Sequence, residues 1–312
     1  MRKIAVFNQK GGVGKTTTAV NLGAGLSRNG RKVIIIDLDP QGDIEVCHKI
    51  SAEKSLYDVL SGEAELEKSI SKLGRNLDVL HCDSRIADIE NELSHDNKNI
   101  NLLEKSFTPN LDYDYVLLDC PPSLRFINKC AFFYSKEIVI PCSTDFLGYD
   151  SLIKTVSSIV KFNEDNKHSL AISLIIPSKF DKRMKSSKEI LQSIKNEFTP
   201  LLVAEPIREN SKLQEAPKLK KSIFSYSRSS SGAQDYWKLV KLILENENMY
   251  DTRFSAEQRQ KAIQDYFKEG KKRELMMVGN KITFGFRFFS DNEKEIGKEY
   301  LSLKSQKKVK SV

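Results

Sequence analysis

A glycine-rich loop near the N-terminus has the residue types and spacing of a phosphate-binding site. Residues 10–17 read Lys-Gly-Gly-Val-Gly-Lys-Thr-Thr. In such a loop the glycines let backbone N–H groups turn toward a phosphate, the last lysine reaches the β- and γ-phosphates, and the hydroxyl after it can bind Mg²⁺. The predicted nucleotide-binding residues of this loop are Gly11, Gly12, Val13, Gly14, Lys15, Thr16 and Thr17.

Two apolar runs further along the chain end in aspartate. Residues 33–36 lead into Asp37-Leu-Asp39-Pro-Gln-Gly, and residues 115–118 lead into Asp119-Cys-Pro-Pro-Ser. An apolar strand that ends in Asp is an arrangement in which the carboxylate holds a magnesium-bound water. Carboxylates at the C-terminal ends of parallel strands face the nucleotide crevice, so we expect all three near the loop.

The elements that must position these residues follow from the hydrophobic pattern. Runs of β-branched and apolar residues at 4–7, 77–80, 138–141 and 171–177 predict further strands, and helical segments lie between them. Continuous apolar strands are typical of a parallel sheet that is buried on both faces. We therefore predict an α/β fold, a doubly wound and mostly parallel sheet with helices on both faces and the site at the strand ends.

Several motifs in the right order make residues 1–248 resemble the ParA/MinD family of deviant Walker A P-loop ATPases, and the ParA/Soj-type partition ATPases in particular. The resemblance is carried by a second lysine at the start of the loop, by the Asp-x-Asp-Pro-Gln-Gly and Asp-Cys-Pro-Pro-Ser segments, and by Glu-Ala-Pro at 215–217. It implies an ATPase domain over 1–248 and ATP and Mg²⁺ as cofactors.

The resemblance also implies roles for individual residues. Lys10 reaches across a dimer interface to the partner's nucleotide, and Lys10, Lys15 and Asp39 form the catalytic set, in which Asp39 positions or activates the attacking water. The expected metal-site residues are Thr16, Asp37 and Asp119. Arg208 and Asn210 lie in a segment like the one that lines the adenine side of the site in this family. This chain has Leu124-Arg125 where the family usually has Gly. The motifs contain no evident arginine finger, so slow intrinsic hydrolysis is expected.

Basic residues point to a polyanionic partner. Residues 178–188 contain five basic residues against one aspartate, which fits either a solvated face or a surface that follows DNA phosphates. In ParA relatives, basic residues of the C-terminal third contact DNA non-specifically. The corresponding candidates in this chain are Lys179, Lys182, Arg183, Lys185, Lys212, Lys220 and Arg228.

The resemblance implies an ATP-dependent homodimer, a ParB-like centromere-binding or adaptor protein as activator, and a cytoplasmic, nucleoid-associated protein. The alternative is a related ATPase that positions a protein cargo or tracks a membrane as MinD does. No apolar run approaches the ~20 residues of a membrane span, the chain enters its first strand without room for a signal peptide, and residues 304–312 lack the apolar face of a membrane anchor. We therefore expect no membrane partner.

The remaining features concern the cysteines and the C-terminal residues. Five cysteines without CxxC spacing favour free thiols over an iron–sulfur site. Residues 249–312 form a basic extension, in which positions 251–312 hold 15 Lys and Arg against 9 Asp and Glu. We prefer a docking or dimer-stabilising appendage, with an additional DNA-binding element or a disordered tail with a packed helix as the alternatives.

Overall fold

The computed structural model describes residues 1–42, 44–45, 50–93, 99–107, 111–198 and 202–247. Within these residues seven strands form one sheet in the order β3-β4-β2-β5-β1-β6-β7. All neighbouring pairs are parallel except β3 and β4. The strands are β1 (Arg2–Val6), β2 (Val33–Asp37), β3 (Ile70–Gly74), β4 (Leu77–Leu80), β5 (Tyr115–Asp119), β6 (Glu137–Ser143) and β7 (Ala171–Ser178).

Helices cover both faces of the sheet because successive strand residues point to opposite sides. In β1, Ala5 packs into one buried cluster, whereas Ile4 and Val6 pack into the other. The described helices are α1 (Lys15–Arg28), α2 (Leu56–Leu60), α3 (Leu66–Ser69), α4 (Ile86–Leu93), α5 (Leu102–Ser106), α6 (Phe126–Tyr134), α7 (Phe146–Asn166), α8 (Lys185–Glu197), α9 (Ser211–Glu215), α10 (Ile223–Tyr226) and α11 (Ser231–Glu245), with a 3₁₀ turn at Pro217–Leu219.

The two faces have different partners. Helices α1, α10 and α11 supply the cluster that contains Ile4 and Val6, and α2 and α4 to α8 supply residues of the other. A sheet buried on both sides in this way exposes its polar groups chiefly at the strand ends. The carboxyl ends of β1, β2, β5 and β7 therefore become the place where chemistry can reach solvent.

The predicted fold class is confirmed, and the six predicted strands are all present. The sequence did not indicate β3, an edge strand whose Ser-Lys-containing run pairs antiparallel with β4. Cys82, Cys120, Cys130 and Cys142 are buried free thiols, and Cys47 lies outside the described residues. The predicted extension, 249–312, also lies outside them. Among the helices that the structure describes, none combines the length and the apolar character that crossing a bilayer requires.

Candidate functional site

The glycine loop is held in place before it reaches α1. Asn8 is fully buried, and its Nδ2 donates to the Pro141 carbonyl oxygen at 2.7 Å. Its Oδ1 accepts from the Lys10 N–H at 2.9 Å and from the Ser151 hydroxyl at 2.6 Å. At the other end, the Ser178 hydroxyl donates to the Val13 carbonyl oxygen at 2.7 Å. The loop is thereby attached to β6, α7 and β7, which fixes where its N–H groups lie.

The loop backbone requires glycine at two positions. Gly12 and Gly14 have φ values of 72° and 95°, in the left-handed region that disfavours other residues. Gly14 is the N-cap of α1 and provides no side chain to bond the helix's first N–H groups. Those N–H groups and the positive end of the helix dipole therefore form an anion site at the start of α1.

Lys15 is nearly buried at the first position of α1, and its Nζ donates to the Lys10 carbonyl oxygen at 3.2 Å. This contact holds the ammonium group against the loop itself. A lysine that is short of water at a helix N-terminus presents a concentrated positive charge. The geometry therefore suits a nucleotide's terminal phosphates.

Two aspartates lie side by side at the ends of neighbouring strands. Asp37 and Asp119 end β2 and β5 and are direct partners in the parallel register. Both are buried, and burial together with the charge of Asp119 raises the pKa of Asp37 well above its ordinary value. Asp37 accepts from the N–H groups of Asp39 at 3.0 Å and Ile44 at 3.3 Å. Carboxylates and the Thr16 hydroxyl are hard oxygen donors, the donor type that fits a divalent cation such as Mg²⁺.

Asp39 and Lys10 differ from these buried groups in being partly exposed. The Oδ1 of Asp39 accepts from the Gln41 N–H at 3.0 Å, which shapes the turn after β2. The Nζ of Lys10 donates to Asp145 Oδ1 at 2.8 Å and to Ser143 Oγ at 3.3 Å. Lys10 is therefore engaged within its own chain in this structure.

The ion pair also acts on Asp145, the N-cap of α7. Partial burial raises the pKa of this carboxyl, but hydrogen bonds from Lys10, Ser143 and the Gly148 N–H outweigh burial and leave it below its usual range. Asp145 is 53% exposed, so the Lys10 contact is a surface ion pair of small energy.

A cleft of about 880 Å³ opens above these groups. All seven predicted residues of the loop line it, together with Asp39, Arg208 and Asn210. Asp37 and Asp119 are buried and do not line the cleft, and Lys10 does not line it either but pairs with Asp145. The structure thus brings the predicted loop residues, Thr16 among them, into one cleft with Asp39, Arg208 and Asn210, and leaves the two predicted metal-site aspartates buried outside its lining.

The far end of the cleft is built from the C-terminal third of the domain. The Arg208 guanidinium binds both carboxylate oxygens of Asp235, with Nε–Oδ2 at 2.8 Å and Nη2–Oδ1 at 2.7 Å, and the Arg208 N–H donates to Oδ2 at 3.0 Å. Asn210 caps α9 by accepting from the Lys212 N–H, and it also donates to the Ser231 hydroxyl. These two side chains hold α9 and α11 against the cleft.

The predicted DNA-contacting residues do not form a single set of free cations. Lys179 lines the cleft, with a φ of 52° just after β7. Four others pair locally: Arg183 with Asp181, Lys185 with Glu189, Lys212 with Glu215, and Lys220 with the Glu45 carbonyl oxygen. Lys182 and Arg228 are exposed. Ion pairs at an exposed surface are weak enough to open when a phosphate approaches.

Several residues of the cleft were missed from the sequence. They are Ala87, Arg125, Glu209, Gln214 and Tyr236. The Tyr236 hydroxyl lies 3.2 Å from the Thr18 hydroxyl and so connects α11 to α1, which no local pattern indicates. A signal did exist for Arg125, because it stands where the related loops usually have glycine.

Comparisons with known proteins show which proteins this chain is similar to. A family model described as an AAA domain matches residues 1–172. The chromosome partitioning protein ParA of Caulobacter vibrioides is 31% identical over 254 residues, 79% of this chain and 95% of that protein. The sporulation initiation inhibitor protein Soj of Bacillus subtilis is 32% identical over 248 residues, 78% and 98% of the two chains. Cobyrinic acid a,c-diamide synthase from Mycobacterium smegmatis, solved with bound ADP and magnesium, superposes with a TM-score of 0.65 at 25% identity, covering 79% of this chain and 95% of that one.

Proposed function

This chain belongs to the ParA/MinD family of partition ATPases, and we propose that it segregates DNA through an ATP-driven cycle of dimerisation, DNA binding and release. The observation that carries the proposal is the loop with two lysines. Lys15 is held against the loop itself, whereas the Lys10 ammonium contacts a partly exposed carboxylate, Asp145, and the Ser143 hydroxyl. One lysine serves the chain's own nucleotide and the other is available to a second copy.

Hydrolysis would proceed at the end of the cleft that contains the loop. Asp39 orients a water whose oxygen bonds to the γ-phosphorus as the bond from that phosphorus to the β–γ bridging oxygen breaks. The electron pair of the broken bond leaves on ADP, and the water's protons pass to the phosphate product and to solvent. Thr16, Asp37 and Asp119 would hold Mg²⁺, directly or through bound water, and its charge would counter that of the phosphates. Lys15 stabilises the charge on the transferring phosphoryl group.

Lys10 would couple this chemistry to assembly. Leaving Asp145 costs little, because an exposed ion pair contributes about 0–1 kcal/mol. Across a dimer interface the same ammonium would contact the partner's nucleotide, so that the dimer forms only with ATP. Intrinsic hydrolysis would be slow, and a ParB-like partner would accelerate it and dissolve the dimer.

The dimer would present basic residues to DNA without reading its sequence. Lys182, Lys185 and Arg228 are exposed on the described surface, and the whole chain carries a net charge of +8. Contacts between Lys or Arg and phosphates release counterions, which makes such binding fall steeply as salt rises. The activator or cargo would determine where on the DNA the ATPase hydrolyses ATP and is released. DNA binding would make the protein nucleoid-associated.

The test is binding of the full chain to an unrelated DNA duplex at several salt concentrations, with ATP and with ADP. We expect tight, salt-sensitive binding with ATP only, and loss of that binding in Lys10→Ala. The matched control is Lys161→Ala, an exposed lysine on α7 away from the cleft, which should bind as the unmodified protein does. DNA binding that ignores the nucleotide, or survives Lys10→Ala, contradicts the proposal. If DNA binding is absent and ATP instead drives sedimentation with anionic vesicles or with a protein cargo, the alternative function is correct.

A further inference from the structure

Four basic residues line the cleft within the described part of the chain, and they are committed to very different degrees. They are Lys15, Arg125, Lys179 and Arg208. Arg208 is bound by two short hydrogen bonds to Asp235 and is part of the domain's framework. Among the described residues, the Arg125 side chain pairs with Glu90, from Nη1 to Oε2 at 3.3 Å, and it is 64% exposed. Arg125 is therefore the arginine of the cleft that can change partner at little cost.

The position of Arg125 places it at the phosphate end. It follows Pro121, Pro122 and Ser123, which line the cleft directly after the strand that ends in Asp119. It is also the N-cap residue of α6, so the backbone before it is a loop and the backbone after it is a helix. A guanidinium on this loop faces the same cleft as Lys15 and Thr16.

Its present partner lies on α4, beside the start of α6. Glu90 is nearly buried on α4, one turn after Ala87, which itself lines the cleft. The second oxygen of Glu90, Oε1, accepts from the Ile127 N–H at 3.4 Å in the first turn of α6. Glu90 thus keeps a backbone partner when the arginine leaves, and its carboxylate stays bound to the first turn of α6.

We propose that Arg125 is a further phosphate-contacting residue of this site: it leaves Glu90 and binds the terminal phosphate of a nucleoside triphosphate in the same chain. This rests on the proposed function, since it takes the cleft to hold ATP. A guanidinium matches the oxygens of a phosphate with two parallel N–H donors, and a phosphate carries more charge than the single carboxylate it replaces. Such a contact would distinguish ATP from ADP because only ATP carries the terminal phosphate.

The experiment compares the binding of ADP and of a non-hydrolysable ATP analogue, each with Mg²⁺, by calorimetry. Arg125→Ala should lose about tenfold in the preference for the ATP analogue over ADP while ADP binding stays unchanged, which corresponds to one charge-assisted contact. Arg125→Lys should restore part of the preference. The matched control, Arg75→Ala, removes an exposed arginine from the β3–β4 turn and should change neither affinity. A merely structural role for Arg125 would instead weaken both ligands equally.

Two further variants test whether Arg125 leaves Glu90 and whether it acts within its own chain. Glu90→Gln removes the competing charge and keeps an acceptor for the Ile127 N–H, so it should raise the preference for the ATP analogue a few-fold. A preference lowered to that of Arg125→Ala would mean that the intact pair matters, and would overturn the proposal. In a Lys10→Ala background the Arg125→Ala effect should persist; its disappearance would show that the arginine acts across a dimer.

If the unmodified protein binds neither ligand, the proposed function fails. If it prefers ATP and Arg125→Ala keeps that preference, only this inference fails.

Discussion

The two ends of the proposed nucleotide cleft differ in how their charged groups are paired: the phosphate end is the one at the loop of residues 10–17, and the base end is the one at Arg208 and Asn210. At the phosphate end the charged groups have loosely held or mutually repelling neighbours: Asp37 lies beside Asp119, and Lys10 rests on an exposed carboxylate. At the base end the polar groups satisfy one another, as in the short, two-pronged pair of Arg208 with Asp235. The charged groups of the phosphate end can therefore exchange their partners for a ligand, whereas those of the base end hold α9 and α11 in place.

This difference implies that the residues that bind the ligand are not the ones that stabilise the fold. Groups with unfavourable or weak partners contribute little to folding and can exchange them for a ligand's charges, whereas a buried pair is costly to break once it has formed. We therefore expect substitutions at the phosphate end to remove activity and leave the fold intact. Substitutions at the base end should act through the stability of the domain.

The largest effect is expected for Lys15→Met, which keeps the aliphatic stem and removes the ammonium. Loss of a preorganised positive charge from a phosphoryl-transfer site should lower the hydrolysis rate at least about 100-fold. The free energy of unfolding should change by less than about 1 kcal/mol, because the nearly buried stem remains. Steady-state hydrolysis and urea unfolding measure the two quantities. An unfolding free energy that falls as far as the activity does would break the comparison.

The converse case is Arg208→Ala. It leaves Asp235, which is 5% exposed, without its cation, and an unpaired buried carboxylate should cost about 2–3 kcal/mol in urea unfolding. The double variant Arg208→Ala with Asp235→Asn removes that charge but keeps an oxygen that can accept from the backbone N–H of residue 208. It should therefore recover part of the lost free energy of unfolding. If the double variant is no more stable than the single one, the pair does not act as proposed here.

The sequence predicted the local motifs of the cleft but not the long-range contacts at either end. The loop at 10–17 and the aspartates at 37 and 119 were predicted because each depends on a local run, a strand followed by its turn. Arg208 was predicted to lie on the adenine side of the site. Its hydrogen bonds to Asp235 could not be predicted, because they require α11, 27 residues further along the chain, to pack beside the cleft. Lys10 was assigned to a partner, and its contact with Asp145 spans 135 residues.

Other differences come from backbone geometry and family patterns. Lys179 belongs to a run that reads as a basic surface, yet the left-handed turn after β7 places it on the cleft. Arg125 was noticed only as a departure from glycine, and its salt bridge to Glu90 could not be foreseen because α4 carries no motif. Local patterns therefore predict the groups that bind, and long-range packing decides which of them are free to do so.

A smaller effect is expected at the contact between α1 and α11. A Cβ on Gly25 would lie 2.3 Å from Val240 Cγ2 and 3.1 Å from the Phe224 ring. Gly25→Ala should therefore destabilise the domain by about 1–2 kcal/mol, the cost of overpacking less the gain in helix propensity. Gly23→Ala in the same helix is the milder comparison, since its Cβ would meet Ile35 Cδ1 at 2.9 Å, Ile35 Cγ1 at 3.2 Å and Leu77 Cδ1 at 3.4 Å, with no approach as short as 2.3 Å. Equal thermal stability of the two variants would show that this contact adapts.

The smallest effect concerns how loosely Lys10 is held. Asp145→Asn removes the ion pair and keeps an N-cap that can still accept from the Gly148 N–H. Because the pair contributes about 0–1 kcal/mol, ATP-dependent dimerisation should tighten by up to about fivefold. The pKa of Asp145 lies below its ordinary value, so this carboxyl is ionised at neutral pH and the pair's contribution is lost only as the pH falls through that lowered pKa. The difference between Asp145→Asn and the unmodified protein should accordingly be the same at pH 6.5 and pH 8 in sedimentation experiments. A tightening far above fivefold would mean that Lys10 is firmly held, and that the phosphate end is not built from weakly committed charges.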